Sequence, residues 1–162
     1  MRRIFLAIFV FFCYTGFLSA EVGLGASFSC DISENCPKSA AFSVRSDEMP
    51  WCVFFKAGLN QNTVTLVIDN WFINERISDH TDYFVLWGIS FGSTFDDGEK
   101  ALFAASRLGA GLDFFFLRRR IEFFGQCVWE PFYGIEKDPG SDWKPFITLL
   151  NFPCSVGLRG WL

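Results

Sequence analysis

Residues 102–116 read LFAASRLGAGLDFFF, and this stretch alternates with a period of two. The even positions are almost all apolar, whereas the odd positions include Arg107, Asp113 and two glycines. Successive side chains of a β-strand point to opposite faces, so the alternation predicts a strand with two unlike faces. Period-two alternation recurs along the chain and helical periodicity is hard to find. We therefore predict an all-β protein.

Turn-forming residues separate the alternating stretches. Asn60-Gln61-Asn62, Asp96-Asp97-Gly98 and Asp138–Asp142 each favour a turn, and Arg118-Arg119-Arg120 is expected to make a tight hairpin. The polar segment Asn74–Thr81 leaves open a helical turn. Strands are predicted near residues 21–29, 39–46, 50–58, 62–73, 82–93, 100–117, 119–134 and 145–161. Their even number fits a single antiparallel up-and-down closed β-barrel of about eight strands.

The first residues have the pattern of an export signal. Arg2-Arg3 precede an apolar run, and Leu18-Ser19-Ala20 supplies the small side chains at which signal peptidase cleaves. We predict that residues 1–20 are a cleavable signal peptide and that residues 21–162 form one domain. The alternative is a retained membrane anchor, but such a helix needs ~20 apolar residues and Tyr14-Thr15-Gly16 interrupt this run early.

The charge balance argues against nucleic acid as a partner. The chain has a formal net charge of −4, and loss of Arg2 and Arg3 with the signal would make the remainder more acidic. A phosphate backbone would be repelled by such a protein.

The cysteines point to structural roles rather than to a metal. Without Cys13, an odd number of the six cysteines remains, so at least one thiol is expected to stay free. Cys30 and Cys36 flank a short polar segment, and a loop-closing disulfide between them is expected. We expect no metal and no cofactor, because CxxC pairs are absent and His80 is the only histidine. Acylation of Cys13 in a lipoprotein is a further alternative, although bulky residues precede it.

The less apolar strand face is rich in glycine and serine. A water-facing sheet usually presents long, well-solvated side chains instead. Small residues fit an enclosed lumen, because an eight-stranded barrel has an interior only wide enough for side chains to fill. We predict that four basic and four acidic residues pair inside this lumen, since an unpaired buried charge is costly: Arg45, Lys56, Asp69, Arg107, Asp113, Glu122, Glu130 and Arg159.

The apolar face is predicted to contact membrane lipid. Away from the strand ends, the outward parity of the fifth to seventh strands has no ionised residue. A sheet within hydrocarbon has to close, because an open edge would leave backbone groups unsatisfied. Aromatic residues near strand ends are expected at the membrane interfaces, namely Trp51, Tyr83, Trp129 and Tyr133. Pro131 and Pro153 each remove a ladder donor, so a bulge is expected at each.

Two segments carry a resemblance to known proteins. They are the hairpin from Arg107 to Gly134, in which glycine and aromatic residues alternate, and the terminal run SVGLRGWL at residues 155–162. Over most of the chain after residue 20, the pattern resembles the small eight-stranded outer-membrane β-barrels of the OmpA, OmpX and OmpW type, including small spirochaete examples. The resemblance implies the bacterial outer membrane as location and the barrel-assembly machinery as partner. That machinery commonly reads a terminal aromatic residue, and here Trp161 is penultimate.

Catalytic chemistry is not indicated, and we predict that the protein is not an enzyme. His80 lies in a polar connection, where a solvated loop histidine is a simpler interpretation than the base of a triad. Glu122 and Glu130 share a strand face, but ~26 Å of extended chain separates them, far more than a glycosidase pair tolerates.

Three functions remain consistent with the sequence. The first is a structural or surface-interaction barrel that contacts a host or another outside partner. The second is a narrow porin-like channel with a charged lumen, or a carrier of small apolar ligands; the inward residues Phe103, Phe124, Phe132, Leu149 and Trp161 motivate the carrier. The third is a soluble periplasmic lipocalin-like barrel that binds a lipophilic ligand.

Overall fold

The computed structural model describes residues 21–32, 38–59, 61–96, 99–137 and 139–162. The predicted signal peptide, residues 1–20, lies outside the described residues. The described chain forms ten strands: β1 (Val22–Asp31), β2 (Lys38–Ser46), β3 (Trp51–Gly58), β4 (Thr63–Ser78), β5 (Thr81–Asp96), β6 (Glu99–Phe116), β7 (Ile121–Trp129), β8 (Phe132–Lys137), β9 (Lys144–Thr148) and β10 (Pro153–Trp161).

These strands form one closed antiparallel barrel with an eight-stranded wall. β1 to β6 pair in chain order, and β7 and β8 both pair with β6 as two parts of one wall strand. β9 and β10 are likewise the two parts of the last wall strand, and β10 pairs with both β7 and β1. Gly23 lies opposite Trp161 where the wall closes. The predicted all-β closed barrel is confirmed.

The two ends of the barrel differ in what they contain. Val22, Trp161 and the turns before β3, β5 and β7 lie at one end, which we call the terminal end. Asp31, Gly58 and Lys137 finish their strands at the opposite end, which we call the loop end. β6 runs from the loop end to the terminal end. The position of a lumen residue along the barrel axis can therefore be given by the β6 residue at the same level.

The prolines interrupt the last two wall strands. Pro131 lies between β7 and β8. Across this break β6 and the segment that faces it contain the same number of residues, so the expected bulge at Pro131 is absent. Pro153 begins β10, and the segment before it contains one residue more than the facing strand. Across the gap, the Glu130 amide donates to the Asn151 carbonyl at 2.9 Å, and Asn151 Nδ2 donates to the Glu130 carbonyl at 3.0 Å. These bonds replace the ladder that the prolines break.

The helical turn that the sequence leaves open between Asn74 and Thr81 does not form. β4 continues to Ser78, and a two-residue turn leads directly into β5. A register shift between Asn70 and Ile73 interrupts the alternation of β4. Trp71 keeps the parity of Val67 and Asp69 and points into the barrel, where it is 2% exposed. Beyond the shift Asn74 pairs with the buried Phe84, so the inward parity of β4 changes from odd to even residues.

The arginine triplet lies in the turn Leu117–Arg120 between β6 and β7. Leu117, Arg118 and Arg119 have φ angles of 49°, 58° and 67°, a conformation that costs a residue with a Cβ atom more than it costs glycine. Arg119 forms an ion pair with Asp82 and lies over the Phe115 ring at 3.7 Å. These contacts hold the turn against the neighbouring hairpin.

Candidate functional site

The inner and outer faces of the wall have reversed polarity compared with a sheet in water. The inner face buries charged groups such as Asp69, Glu122 and Arg159, which have no exposed surface. The outer face exposes large apolar side chains, among them Phe91 at 50% and Leu108 at 51%. Charge is therefore enclosed in the lumen, while large apolar side chains are exposed on the outside of the wall.

The first charge cluster, Arg45, Asp113, Glu122 and Arg159, fills the lumen near the terminal end. Arg45 Nη1 lies 3.3 Å from Asp113 Oδ2 and 3.6 Å from Glu122 Oε1. Arg159 Nη1 donates to Glu122, whose other oxygen accepts from Trp161 Nε1 at 2.7 Å. Two guanidinium groups thus face two carboxylates, which balances the formal charge in a space with little water.

The second charge cluster, Lys56, Asp69, Arg107 and Glu130, lies closer to the loop end. Arg107 binds Asp69 through Nε at 2.8 Å and through Nη2 at 3.2 Å, and its Nη1 donates to Glu130. Ser90 Oγ donates to the same glutamate at 2.6 Å. A fork-like pairing of this kind fixes the guanidinium in both distance and direction.

All eight charged residues named from the sequence face the lumen, but they form two clusters rather than one network. Lys56 differs from the other seven because it is half-buried and borders an open cavity together with Glu130. Aromatic and aliphatic side chains pack between the clusters. Trp71 stacks on Phe84 with ring centroids 3.6 Å apart, and Phe84 lies so close to Gly111 that a Cβ atom there would collide with its ring.

A cavity of about 500 Å³, which we call the vestibule, opens at the loop end above the second cluster. Phe103, Phe132 and Phe146 line one side of it. The ring centroids are 5.8 Å apart for the first two and 5.9 Å apart for the last two. Serine, threonine and glutamine side chains from β1 to β5 and their connections line the other side, including Ser39, Gln61, Thr63, Thr65 and Thr94. The vestibule is therefore apolar on one side and rich in hydrogen-bonding groups on the other.

The four aromatic residues expected at membrane interfaces differ in their surroundings. Trp51 is exposed and packs edge-on against Trp87 at 5.9 Å. Trp129 is exposed and donates from Nε1 to the Leu149 carbonyl at 2.8 Å. Tyr133 is exposed on β8, and the half-buried Tyr83 donates its hydroxyl to Glu75 at 2.8 Å. The two polar tips with a described hydrogen bond, Trp129 Nε1 and the Tyr83 hydroxyl, therefore bind neighbouring segments of the barrel itself.

Two of the cysteines form a disulfide that was not foreseen from the sequence. Cys127 on β7 and Cys154 on β10 are direct register partners and are bonded to each other. The sequence shows that both cysteines lie on the apolar faces of their strands. It does not show that they pair, because that depends on the register between β7 and β10. Cys52 is a buried free thiol in the part of the chain that the structure describes, and Arg159 Nη2 lies 3.4 Å from its sulfur. Cys36, and with it the expected Cys30–Cys36 bridge, lies outside the described residues.

Other expected sites can be located on the same framework. His80 lies in the turn between β4 and β5, where its carbonyl accepts from the Phe115 amide at 2.8 Å. Within the described ranges, no group of three or more histidine, cysteine or acidic residues is arranged to hold a metal ion. No helix in the same ranges has the length and apolar character needed to cross a membrane.

No family model matches this chain, and no curated protein matches its sequence.

Proposed function

We propose that the protein is a β-barrel of the bacterial outer membrane with a structural or surface-interaction role. One observation carries the proposal, namely the reversed polarity of the wall. Burying apolar surface stabilises by about 25 cal/mol per Å², so a continuous apolar exterior in water would be a strong drive to aggregate. Lipid removes that drive, and membrane barrels alternate apolar residues outside with polar residues inside for this reason.

The closure of the wall supports the same environment. A sheet with a free edge would present unpaired amide and carbonyl groups to hydrocarbon, at a cost of several kcal/mol each. Here β1 pairs with β10 and β5 pairs with β6, so both potential edges are joined. The export pattern of residues 1–20 and the resemblance of the terminal run to small outer-membrane barrels point to the outer membrane among bacterial membranes.

The filled lumen favours a structural or interaction role over a porin-like channel. Two charge clusters and the stacked Trp71–Phe84 pair occupy the interior between its ends. Ions would have to break buried ion pairs in order to pass, and removing one partner of such a pair costs about 3–5 kcal/mol. The exposed loops and the vestibule then remain as the parts able to meet a partner.

An arginine placed on the outer face distinguishes a membrane wall from a soluble one. Leu108 lies half-way along β6 and is 51% exposed. In lipid, Leu108→Arg should lower the free energy of unfolding by about 2–4 kcal/mol, whereas an exposed leucine in water could be replaced within about 0.5 kcal/mol. Urea titration of the chain refolded in phospholipid vesicles measures the difference. Leu117→Arg is the matched control, because Leu117 is 70% exposed in a turn at the end of the barrel.

Fractionation of cells tests the location directly. The full chain, expressed in a Gram-negative host, should enter the detergent phase with the outer membrane and change gel mobility on heating. Recovery in the aqueous phase without heat-modifiable mobility, together with an unaffected Leu108→Arg variant, would instead support the soluble lipocalin-like barrel and overturn the proposal.

A further inference from the structure

We propose that the vestibule binds a neutral saccharide, stacking a sugar ring on its phenylalanine side and hydrogen-bonding the hydroxyls on its opposite side. The inference goes beyond the proposed function, because it concerns the cavity inside the loop end and does not depend on what surrounds the outer wall. The volume of about 500 Å³ lies within the range of ligand pockets in proteins.

The phenylalanine side is built so that the cavity stays open. Phe103 lies against Gly92 and Phe146 lies against Gly134, and a Cβ atom at either glycine would collide with the ring beside it. Any larger residue at these positions would push a ring into the lumen. The rings therefore line the wall instead of filling the space, and their half-buried surfaces face the cavity. Such a surface suits the apolar C–H face of a sugar ring.

The opposite side has hydroxyl groups that keep donors and acceptors available for a ligand. Thr63 Oγ1 and Thr94 Oγ1 lie 2.9 Å apart, and Ser29 Oγ and Ser39 Oγ lie 2.6 Å apart. A hydroxyl offers one donor and two acceptors, so each pair keeps a donor and several acceptors for a ligand after bonding internally. A purely apolar ligand would strip water from these hydroxyls without replacing its hydrogen bonds, which is unfavourable.

The charges around the vestibule favour a neutral ligand over an anion. Among its described lining residues, Lys38 and Lys56 are offset by Asp31, Glu130 and Glu136. Arg107, beneath the floor, is already bound by Asp69 and Glu130. No excess positive charge is left to attract a phosphate or a carboxylate, whereas hydroxyl groups need none.

Two sources could present such a ring, a free sugar or the end of a surface glycan. Saturation-transfer NMR on the folded chain, in lipid nanodiscs or in buffer according to the fraction in which it is recovered, tests free sugars. The probes are glucose, galactose, mannose, N-acetylglucosamine, maltose and lactose. A printed glycan array tests polymer-borne sugars. Binding in either arm, with transfer strongest at the ring C–H protons, is expected. Absence of binding in both arms, or binding of octanoate in place of every sugar, would overturn the proposal.

Three variants test the site, with Gly160→Ala and Phe91→Ala as matched controls. Gly92→Ala should push the Phe103 ring into the cavity, and Phe103→Ala should remove the stacking surface; each should weaken binding at least about tenfold. Thr63→Val keeps the strand but removes a hydroxyl, with an expected loss of about tenfold. Gly160 has open space around its Cβ position and Phe91 is exposed outside the wall, so neither control should matter. Equal affinity of the site variants and the controls, with heat-modifiable mobility retained, would overturn the assignment.

Discussion

Arg159 shows how a barrel of this size accommodates charge. Its side chain has no exposed surface and lies among Glu122, Cys52 and the Phe124 ring, whose centroid is 4.5 Å from the guanidinium carbon. A charge removed from water is tolerated only when a counter-charge and hydrogen bonds replace the lost solvation. Glu122 provides both, and it also accepts from Trp161. The pair therefore stabilises the lumen only while both members are present.

Replacing one member should reveal this dependence. We expect Glu122→Gln to lower the free energy of unfolding by about 3–5 kcal/mol, because Arg159 would remain buried without its carboxylate. Urea unfolding followed by gel mobility measures the loss. Glu75→Gln is the matched control, since Glu75 is exposed and bound only to the Tyr83 hydroxyl in its described contacts, and it should cost less than about 1 kcal/mol.

A second replacement separates charge from shape. The double variant of Glu122→Gln with Arg159→Met removes both charges and should recover much of the lost stability, because apolar replacements of buried ion pairs are often neutral or stabilising. A Glu122→Gln variant as stable as the unmodified chain would contradict the argument for both substitutions.

Much of the lumen could be predicted from the sequence, and the misses have physical causes. Parity along β6 placed Arg107 and Asp113 inside because a regular strand alternates without exception. Parity fails in β4 beyond the register shift between Asn70 and Ile73, where the inward residues change from odd to even numbers, because that shift is a tertiary feature with no local signal. The division of the charges into two clusters and the Cys127–Cys154 bond also depend on which residues lie opposite each other. Alternation gives the face of a residue, whereas register between strands gives its neighbours.

The disulfide ties together β7 and β10, the two wall strands that carry the proline interruptions. β7 stops at Trp129 and β10 starts at Pro153, so each loses its ladder on the loop-end side of Cys127 and Cys154. A covalent link at that level holds the strands in register where backbone bonds are fewest. The Glu130–Asn151 bonds continue the connection beyond it.

Removing the disulfide should therefore lower the stability of the barrel while its wall stays closed. For a bond that spans 27 residues of sequence, loss of the disulfide is expected to cost about 2–4 kcal/mol. The paired variant Cys127→Ala with Cys154→Ala, compared by urea unfolding with Cys52→Ala, measures this cost in the absence of reductant. Peptide mapping under the same conditions should recover residues 127 and 154 in one linked fragment; recovery as separate thiol peptides would contradict the pairing.

Together, the wall and the two charge clusters make an interior that is filled in its middle, with the vestibule at the loop end and a smaller cavity of about 260 Å³ at the terminal end. The occupied part lies between Arg107 and Phe115 along β6, and the open part lies beyond Arg107 towards the loop end. A molecule entering from the loop end would meet the second charge cluster and stop there. This arrangement supports the proposed structural or surface-interaction role over that of a pore.

Planar-bilayer recording tests the closure. The unmodified chain should pass no resolvable unit current, because buried ion pairs and the stacked Trp71–Phe84 rings occupy the lumen between its ends. Phe84→Gly combined with Arg107→Ser removes one ring and one guanidinium from the filled section and should introduce measurable steps. Unit steps in the unmodified chain that change in size with Arg107→Gln would instead favour the narrow channel.

The pairing of Gly23 with Trp161 has a consequence for biogenesis. It joins the strands that are farthest apart in the chain, and contacts of long sequence separation form slowly because loop closure must come first. Until β1 and β10 pair, each exposes a row of unpaired backbone amide and carbonyl groups. Such an edge can pair with a strand of another chain. We therefore expect this pairing to be the last step of folding and the step at which a chaperone or an insertion catalyst has most to do.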